Sequence, residues 1–374
     1  MRKLAGIGSS PARGWRNARK LLCVRLDSLG DVLMTSPAIR ALKSSQSGRT
    51  VTLLASPTGA VAARLLPEID RVIVFDAPWV KRESAVTDRR PSGLAMIERL
   101  QAERFDGAVI FTSYSQSPLP AAHLCYLAKI PLRLAYCREN PYQLLTHWER
   151  DPEPERFVRH EVRRQMDLVA TTGATARDDR IRVRVDAKAV RRVQKILRAR
   201  GIDPSDRWVV VHVGARAPSR RYPPTRFASV IHSLEQDVGW RTVMTGGSEE
   251  IELVESVRVA ANANAVSLAG ALAIEDVAAL LSLAPVLISN NTGLVHIAAG
   301  VGTPIVDMYA QTNPQHGPWR VPSRVLFYDV PCRNCLKSIC PEGHHRCLEL
   351  VPPQAVVDAV RALTEDACGQ RVAA

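Results

Sequence analysis

The sequence predicts an α/β protein built from two doubly wound domains. Three observations carry this reading. Short apolar runs alternate with helical patterns, the alternation occurs twice, and 374 residues suit two domains at roughly 150 residues each. Strand–helix alternation at this spacing gives parallel sheets with helical crossovers.

In the first half the strands are expected at 21–26, 51–55, 72–75, 108–111 and 132–135, with helices at 31–44 and 93–103. In the second half they fall at 208–213, 242–245, 265–268, 286–288 and 305–308, with helices at 224–236, 249–261, 274–283 and 292–301. Between the halves, 142–206 shows no clear strand. It holds Asp151-Pro152-Glu153-Pro154 and then basic helical segments. The expected organisation is a basic tail (1–20), a first domain (21–185), a second domain (186–352) and a C-terminal helix and tail (353–374). Helix 353–364 is free to pack on either domain. Two such domains are expected to face a cleft, with ligands beyond the carboxyl ends of the strands.

Composition narrows the function classes. Hydrophobic residues at 46% and charged residues at 23% indicate a folded globular protein. No stretch approaches the ~20 apolar residues of a membrane span. The N-terminus has cations but no apolar h-region, so no secretory signal is expected. A net charge of +13 favours anionic partners. The basic residues between Arg156 and Arg200 read equally as solvated helix faces or as a phosphate-attracting patch. Nucleic acid is not an expected partner, because aromatic residues are only 5%. A nicotinamide oxidoreductase would need Gly-x-Gly-x-x-Gly after the first strand, and Ser28-Leu29-Gly30-Asp31 lacks it.

The first loop is Asp27-Ser28-Leu29-Gly30-Asp31. Gly30 permits close approach of a ligand to the backbone, and the following helix start suits an anion. A carboxylate at Asp31 can accept a proton from an attacking hydroxyl. The same Ser28-x-x-Asp31 spacing is also a capping box.

In the second half, the strand at 208–213 runs into Gly214-Ala215-Arg216 and then Ser219-Arg220-Arg221-Tyr222-Pro223. A glycine followed by cations is a candidate phosphate cradle, with Arg220 and Arg221 placed to neutralise the leaving diphosphate and Arg216 as a second candidate. Next comes Ser289-Asn290-Asn291-Thr292-Gly293-Leu294-Val295-His296. Asn290 or Asn291 is expected to cap the helix, while Thr292 and Gly293 offer a hydroxyl and free amides to a diphosphate. His296 lies one turn inward. Gln315 and His316, in the loop after the strand at 305–308, are candidate substrate contacts. Gly246-Gly247-Ser248-Glu249 is either a nucleotide contact or a tight, capped turn.

The string from Arg25 to Lys43, RLDSLGDVLMTSPAIRALK, resembles the opening of bacterial lipopolysaccharide heptosyltransferases, glycosyltransferase family 9. The block from Ser289 to Ala299 resembles that family's Asn-Asp-Thr/Ser-Gly-x-x-His-x-Ala-Ala, with Asn291 where the family commonly has aspartate. Arg220 falls at the basic position of its phosphate-gripping element, and Tyr222 replaces the usual tryptophan. The resemblance implies two Rossmann-like domains facing a cleft, the fold called GT-B. It implies Asp31 as general base of an inverting transfer. Donor binding would fall to the second-domain residues Gly214, Arg216, Arg220, Asn291, Thr292, Gly293 and His296, with Gly30 in the first. It further implies ADP-heptose as donor, a lipid A–core or related glycan acceptor, and no cofactor for catalysis. The setting implied is cytoplasmic, at the inner face of the membrane, with peripheral contact to anionic lipid. Members of the family with other nucleotide-sugar donors fit the same motifs. A rival of another class is a zinc-containing nucleic-acid-binding protein.

Of eight cysteines, Cys332, Cys335, Cys340 and Cys347 cluster beside His344 and His345. Four thiolates suit a closed structural zinc site. An iron–sulfur cluster, free or redox-active thiols and a disulfide are the other readings.

Overall fold

The computed structural model describes residues 11–80, 93–203 and 205–372. The chain divides into two compact units, Met1–Asp179 and Arg180–Ala374.

The first unit runs α1 (Pro11–Asn17), β1 (Lys20–Arg25), α2 (Leu29–Ser44), β2 (Thr50–Ala55), α3 (Pro57–Ala63), β3 (Arg71–Val74), α4 (Gly93–Glu103), β4 (Gly107–Ile110), α5 (Leu119–Leu127), β5 (Leu132–Cys137), β6 (His147–Arg150) and α6 (Glu161–Ala170). Its six strands are all parallel, in the order β3-β2-β1-β4-β5-β6. The central strand β1 is apolar over Leu21–Val24 and buried on both faces, as a parallel strand covered by helices must be. On one side of the sheet Leu22, Val24, Ile73, Phe75, Met96, Leu100 and Ile110 form the core.

Two expectations change here. The basic tail ends early: from Pro11 the chain is helical, Trp15 is 2% exposed, and Arg49 donates to the backbone oxygens of Trp15 (2.6 Å) and Ala18 (2.8 Å). Residues 1–10 of that tail lie outside the described residues. The stretch after 142, where no strand is expected, does hold one: β6 pairs with β5, and α6 follows and packs on α2. Several of its cations are spent internally. Arg164, almost fully buried, makes a two-pronged ion pair with Asp151 and a second with Glu153, while Arg159 bridges Glu153 and Asp167. The Asp-Pro-Glu-Pro segment supplies buried countercharge, which removes Arg159 and Arg164 from any phosphate-attracting patch.

The second unit runs α7 (Ala187–Ala199), β7 (Trp208–His212), α8 (Pro224–Gln236), β8 (Arg241–Thr245), α9 (Ile251–Ala260), β9 (Val266–Ser267), α10 (Ile274–Leu283), β10 (Leu287–Asn290), α11 (Gly293–Val301), β11 (Ile305–Met308), β12 (Ser323–Leu326), α12 (Arg346–Glu349) and α13 (Pro353–Val372). Its parallel sheet has the order β12-β11-β10-β7-β8-β9, the topology of the first sheet repeated. The backbone N–H of Val183 donates to Gly300 O (3.1 Å), so the residues just after Asp179 pack with this unit. Val356, Val357, Val360 and Leu363 of α13 are buried in one cluster with Phe227, Val230, Ile231 and Leu234 of α8. The last helix therefore belongs to the second unit.

In each sheet the chain winds outward in both directions from a central pair, β1/β4 in the first and β7/β10 in the second. Crossover helices diverge there, leaving a crevice at the carboxyl ends of the pair, where open α/β sheets hold ligands. Among the described residues no helix is long and apolar enough to cross a membrane.

Candidate active site

The first switch point carries a buried charge cluster. Arg25 ends β1 with no exposure and faces three carboxylates. Its Nε lies 2.9 Å from Asp27 Oδ2, and its Nη2 lies 3.1 Å from Asp31 Oδ1 and 2.9 Å from Glu161 Oε1. Glu161 opens α6 and accepts from Gln165 Nε2 at 2.8 Å. Three carboxylates around one cation leave a negative surplus. Burial pushes the Asp27 carboxyl up to about 6; Arg25 pulls it down, and the Asp31 and Glu161 charges add to the rise. Asp31 itself is tied at both oxygens. Oδ1 accepts from Arg25, and Oδ2 accepts from Ser28 N (3.1 Å) and Ser28 Oγ (2.6 Å). Its side chain keeps 16% exposure. A carboxylate held in this way and still partly exposed can cap its helix and take a proton from a ligand. Gly30 beside it is buried.

The second switch point joins three loops. Asn290, fully buried at the end of β10, donates to Val213 O (2.8 Å) and Gly214 O (3.2 Å) and accepts from Tyr222 N (2.8 Å). It therefore staples the loop after β7 to β10, and Thr292, not Asn290 or Asn291, is the N-cap of α11. Tyr222 is a core residue, stacked edge-on against Phe227 with its hydroxyl donating to Val351 O at 2.9 Å. Arg221 turns back to Ala215 O (2.6 Å), and Arg216 is exposed. Arg220 is half-buried, and its guanidinium has no ion pair or hydrogen bond among the described residues.

Gly214 serves a different purpose from the one expected. A Cβ there would collide with the carboxylate of Glu250, which also accepts from Gly247 N at 2.9 Å. The glycine makes room for an acid, which carries the same sign of charge as a phosphate and repels one. His212, buried beside Glu250, contacts Thr245 O through Nδ1 (3.2 Å), and burial holds the imidazole below its ordinary value.

Thr292 and Gly293 are half-exposed at the start of α11, and His296 is buried within it. Asn291 donates through Nδ2 to Asp307 Oδ2 and to His316 O, both at 3.0 Å. Asp307, on β11, is fully buried. Burial pushes its carboxyl up to about 7, against the Asn291 hydrogen bond and the Arg220 charge. The loop after β11 folds on itself: Tyr309 donates to Asn313 O (2.6 Å), and His316 N donates to the Tyr309 hydroxyl (3.2 Å). His316 thus reaches the Asn291 turn through its backbone oxygen, while Gln315 is buried.

The cysteine loop does not form the expected zinc site. Cys332, Cys335, Cys340 and Cys347 are free and partly exposed, and Cys332 Sγ lies 3.9 Å from His344 Nε2. Among the described residues no three His, Cys, Asp or Glu side chains are placed to hold a metal ion. Burial raises the Cys347 thiol, and the neighbouring cysteines raise it further. The loop is instead tied by its backbone. Ser219 Oγ donates to Lys337 O (2.7 Å), and Asn334 N and Leu336 N donate to Gln311 O and Thr312 O.

The family model for glycosyltransferase family 9 (heptosyltransferase) matches residues 94–345, two thirds of the chain. The chain belongs to glycosyltransferase family 9. Its relatives include lipopolysaccharide heptosyltransferase 2 of Salmonella typhimurium, 23% identical over 361 residues, covering 93% of this chain and 99% of that one. Lipopolysaccharide heptosyltransferase 1 of Pseudomonas aeruginosa is 24% identical over 323 residues, covering 86% and 87%. In fold, the chain is similar to a family 9 glycosyl transferase from Veillonella parvula (TM-score 0.77, 20% identity, 96% and 100% covered). It is also similar to E. coli ADP-heptose lps heptosyltransferase II (TM-score 0.72, 19% identity, 93% and 99% covered).

As a family 9 glycosyltransferase, the chain has the two Rossmann-like units the sequence predicts. Sequence reading missed Arg25, Asp27, Glu161, Glu250 and Asp307. Arg25 and Asp27 carried a signal, since charges flanking a buried strand end must be paired. Glu250 carried a local one, the capping-box spacing Gly247-x-x-Glu250. Glu161 and Asp307 carried none, because Arg25 and Asn291 reach them from other elements.

Proposed function

We propose that the chain transfers a heptose from ADP-heptose to a hydroxyl of a lipopolysaccharide core or related glycan, with inversion at the anomeric carbon. The supporting observation is the Asp31 carboxylate, held by Arg25 and Ser28 at the first switch point and still partly exposed. In this reading Asp31 accepts the proton of the attacking hydroxyl as the oxygen bonds to the anomeric carbon and the bond to the diphosphate breaks. The departing charge goes to Arg220 and to the amides at Thr292 and Gly293, with no metal required. Heptosyltransferase relatives support a lipopolysaccharide acceptor. The enzyme would work in the cytoplasm at the membrane face, its positive net charge favouring anionic lipid.

The test is a transfer assay with ADP-heptose, ADP-glucose, UDP-glucose and GDP-mannose on heptose-deficient core oligosaccharide, with the product anomer read by NMR. Transfer from ADP-heptose with inversion is expected. Transfer only from another nucleotide sugar, or with retention, would refute the donor or the mechanism respectively.

A further inference from the structure

Asn291 is 4% exposed, and both hydrogens of its amide point inward, to Asp307 Oδ2 and to the His316 carbonyl. Its backbone N–H is spent on Met308 O. Turning the amide over would place its oxygen against a carboxyl oxygen and a carbonyl oxygen, two acceptor–acceptor contacts in a buried site. The side chain therefore has one polar atom left to offer, Oδ1, immediately before the half-exposed Thr292 and Gly293. An oxygen with no hydrogen cannot bind a phosphate oxygen. It can accept from a hydroxyl.

Asp307 is the part of this arrangement that a ligand does not reach. It has no exposure, its Oδ2 is taken by Asn291, and its Oδ1 is buried without a hydrogen-bond partner. We propose that Asp307 is a positioning residue: with the His316 carbonyl it locks Asn291 so that Oδ1 faces the donor as a fixed acceptor for a sugar hydroxyl. This rests on the donor binding at the Thr292–Gly293 turn. It divides the labour there, because Asn291 reads the sugar while Thr292, Gly293 and Arg220 read the diphosphate. It also explains why a buried acid is kept on β11: its acceptor oxygen takes the amide hydrogen that the His316 carbonyl does not.

The test compares Asp307→Val, Asp307→Asn, Asn291→Asp and the exchanged pair Asn291→Asp/Asp307→Asn. Calorimetry gives the affinity of each for ADP-heptose and for ADP. Asp307→Val frees the amide and should weaken ADP-heptose by about 10-fold, the weight of one hydrogen bond, while ADP shifts by less than about 2-fold. Asp307→Asn still offers an acceptor and should recover most of that loss. Asn291→Asp sets two acids against each other and should also weaken ADP-heptose. The exchanged pair restores one donor facing one acceptor and should recover it. Equal losses for ADP and ADP-heptose would overturn the proposal. So would Asp307→Asn as damaging as Asp307→Val, or an exchanged pair no better than Asn291→Asp. If Asp307→Val does not fold, the comparison of Asn291→Asp with the exchanged pair decides. If the wild type transfers no heptose from ADP-heptose, the heptose reading fails by itself. The same variants are then compared with whichever of ADP-glucose, UDP-glucose and GDP-mannose the wild type transfers.

Discussion

Replacing Asp31 with asparagine separates its two duties. Asparagine keeps an oxygen for Ser28 N and Ser28 Oγ, so the start of α2 should survive. The ion pair with Arg25 is lost, yet Arg25 still faces Asp27 and Glu161 at 2.9 Å each. Asp27 gains, because one charge that raises it is removed. The sign follows from linkage. The folded Asp27 carboxyl lies at about 6, above its ordinary 3.8, so its contribution to stability is complete below pH 4 and fades as pH rises through 6. That difference corresponds to ~3 kcal/mol at most. Asp31→Asn should shrink it, so the melting temperature of the variant relative to wild type should rise between pH 5 and pH 7.5. Overall stability should stay within ~1 kcal/mol of wild type, since one pair is lost and one repulsion is relieved. Turnover should fall by ~10²-fold or more, the weight of a positioned base. The assays are ADP release at saturating donor and acceptor, and melting by circular dichroism at the two pH values. Near-normal turnover would leave Asp31 with capping alone. A large loss of stability would mean that the Arg25 pair, not the chemistry, explains the residue.

Arg220→Ala should weaken ADP more than adenosine, because only the diphosphate carries charge to match a half-buried cation; equal losses by calorimetry would place Arg220 elsewhere. Arg164→Met should destabilise by ~3 kcal/mol or more, since it strands Asp151 as a buried charge and leaves Glu153 with Arg159 alone; an unchanged urea midpoint would deny Arg164 that role. Transfer should persist in excess EDTA, as Arg220 and the α11 amides take the leaving charge. Loss on chelation with recovery by Mg²⁺ would refute that chemistry.

The sequence by itself determined the architecture. The two series of apolar runs are near-continuous and the helical stretches amphipathic, so two parallel sheets follow from periodicity and local propensity. It also located Asp31, Thr292 and Gly293, because each lies where a strand end passes into a helix and local geometry is enough to place it. The tertiary structure alone decided which charges meet. Asp151 and Glu153 stood in a stretch with no clear strand and no visible partner, and the fold closes Arg164 and Arg159 on them. Gly214 looked like a phosphate cradle until the Glu250 carboxylate occupied the space before it. Asn291 looked like a helix cap, and pairing with Asp307, sixteen residues on and one strand over, gave its amide a direction. The four cysteines had metal-like spacing but not metal-like geometry. Periodicity is a property of neighbouring residues and survives in one dimension. The partner of a buried charge is set by which strands lie side by side, and sequence spacing carries no record of that.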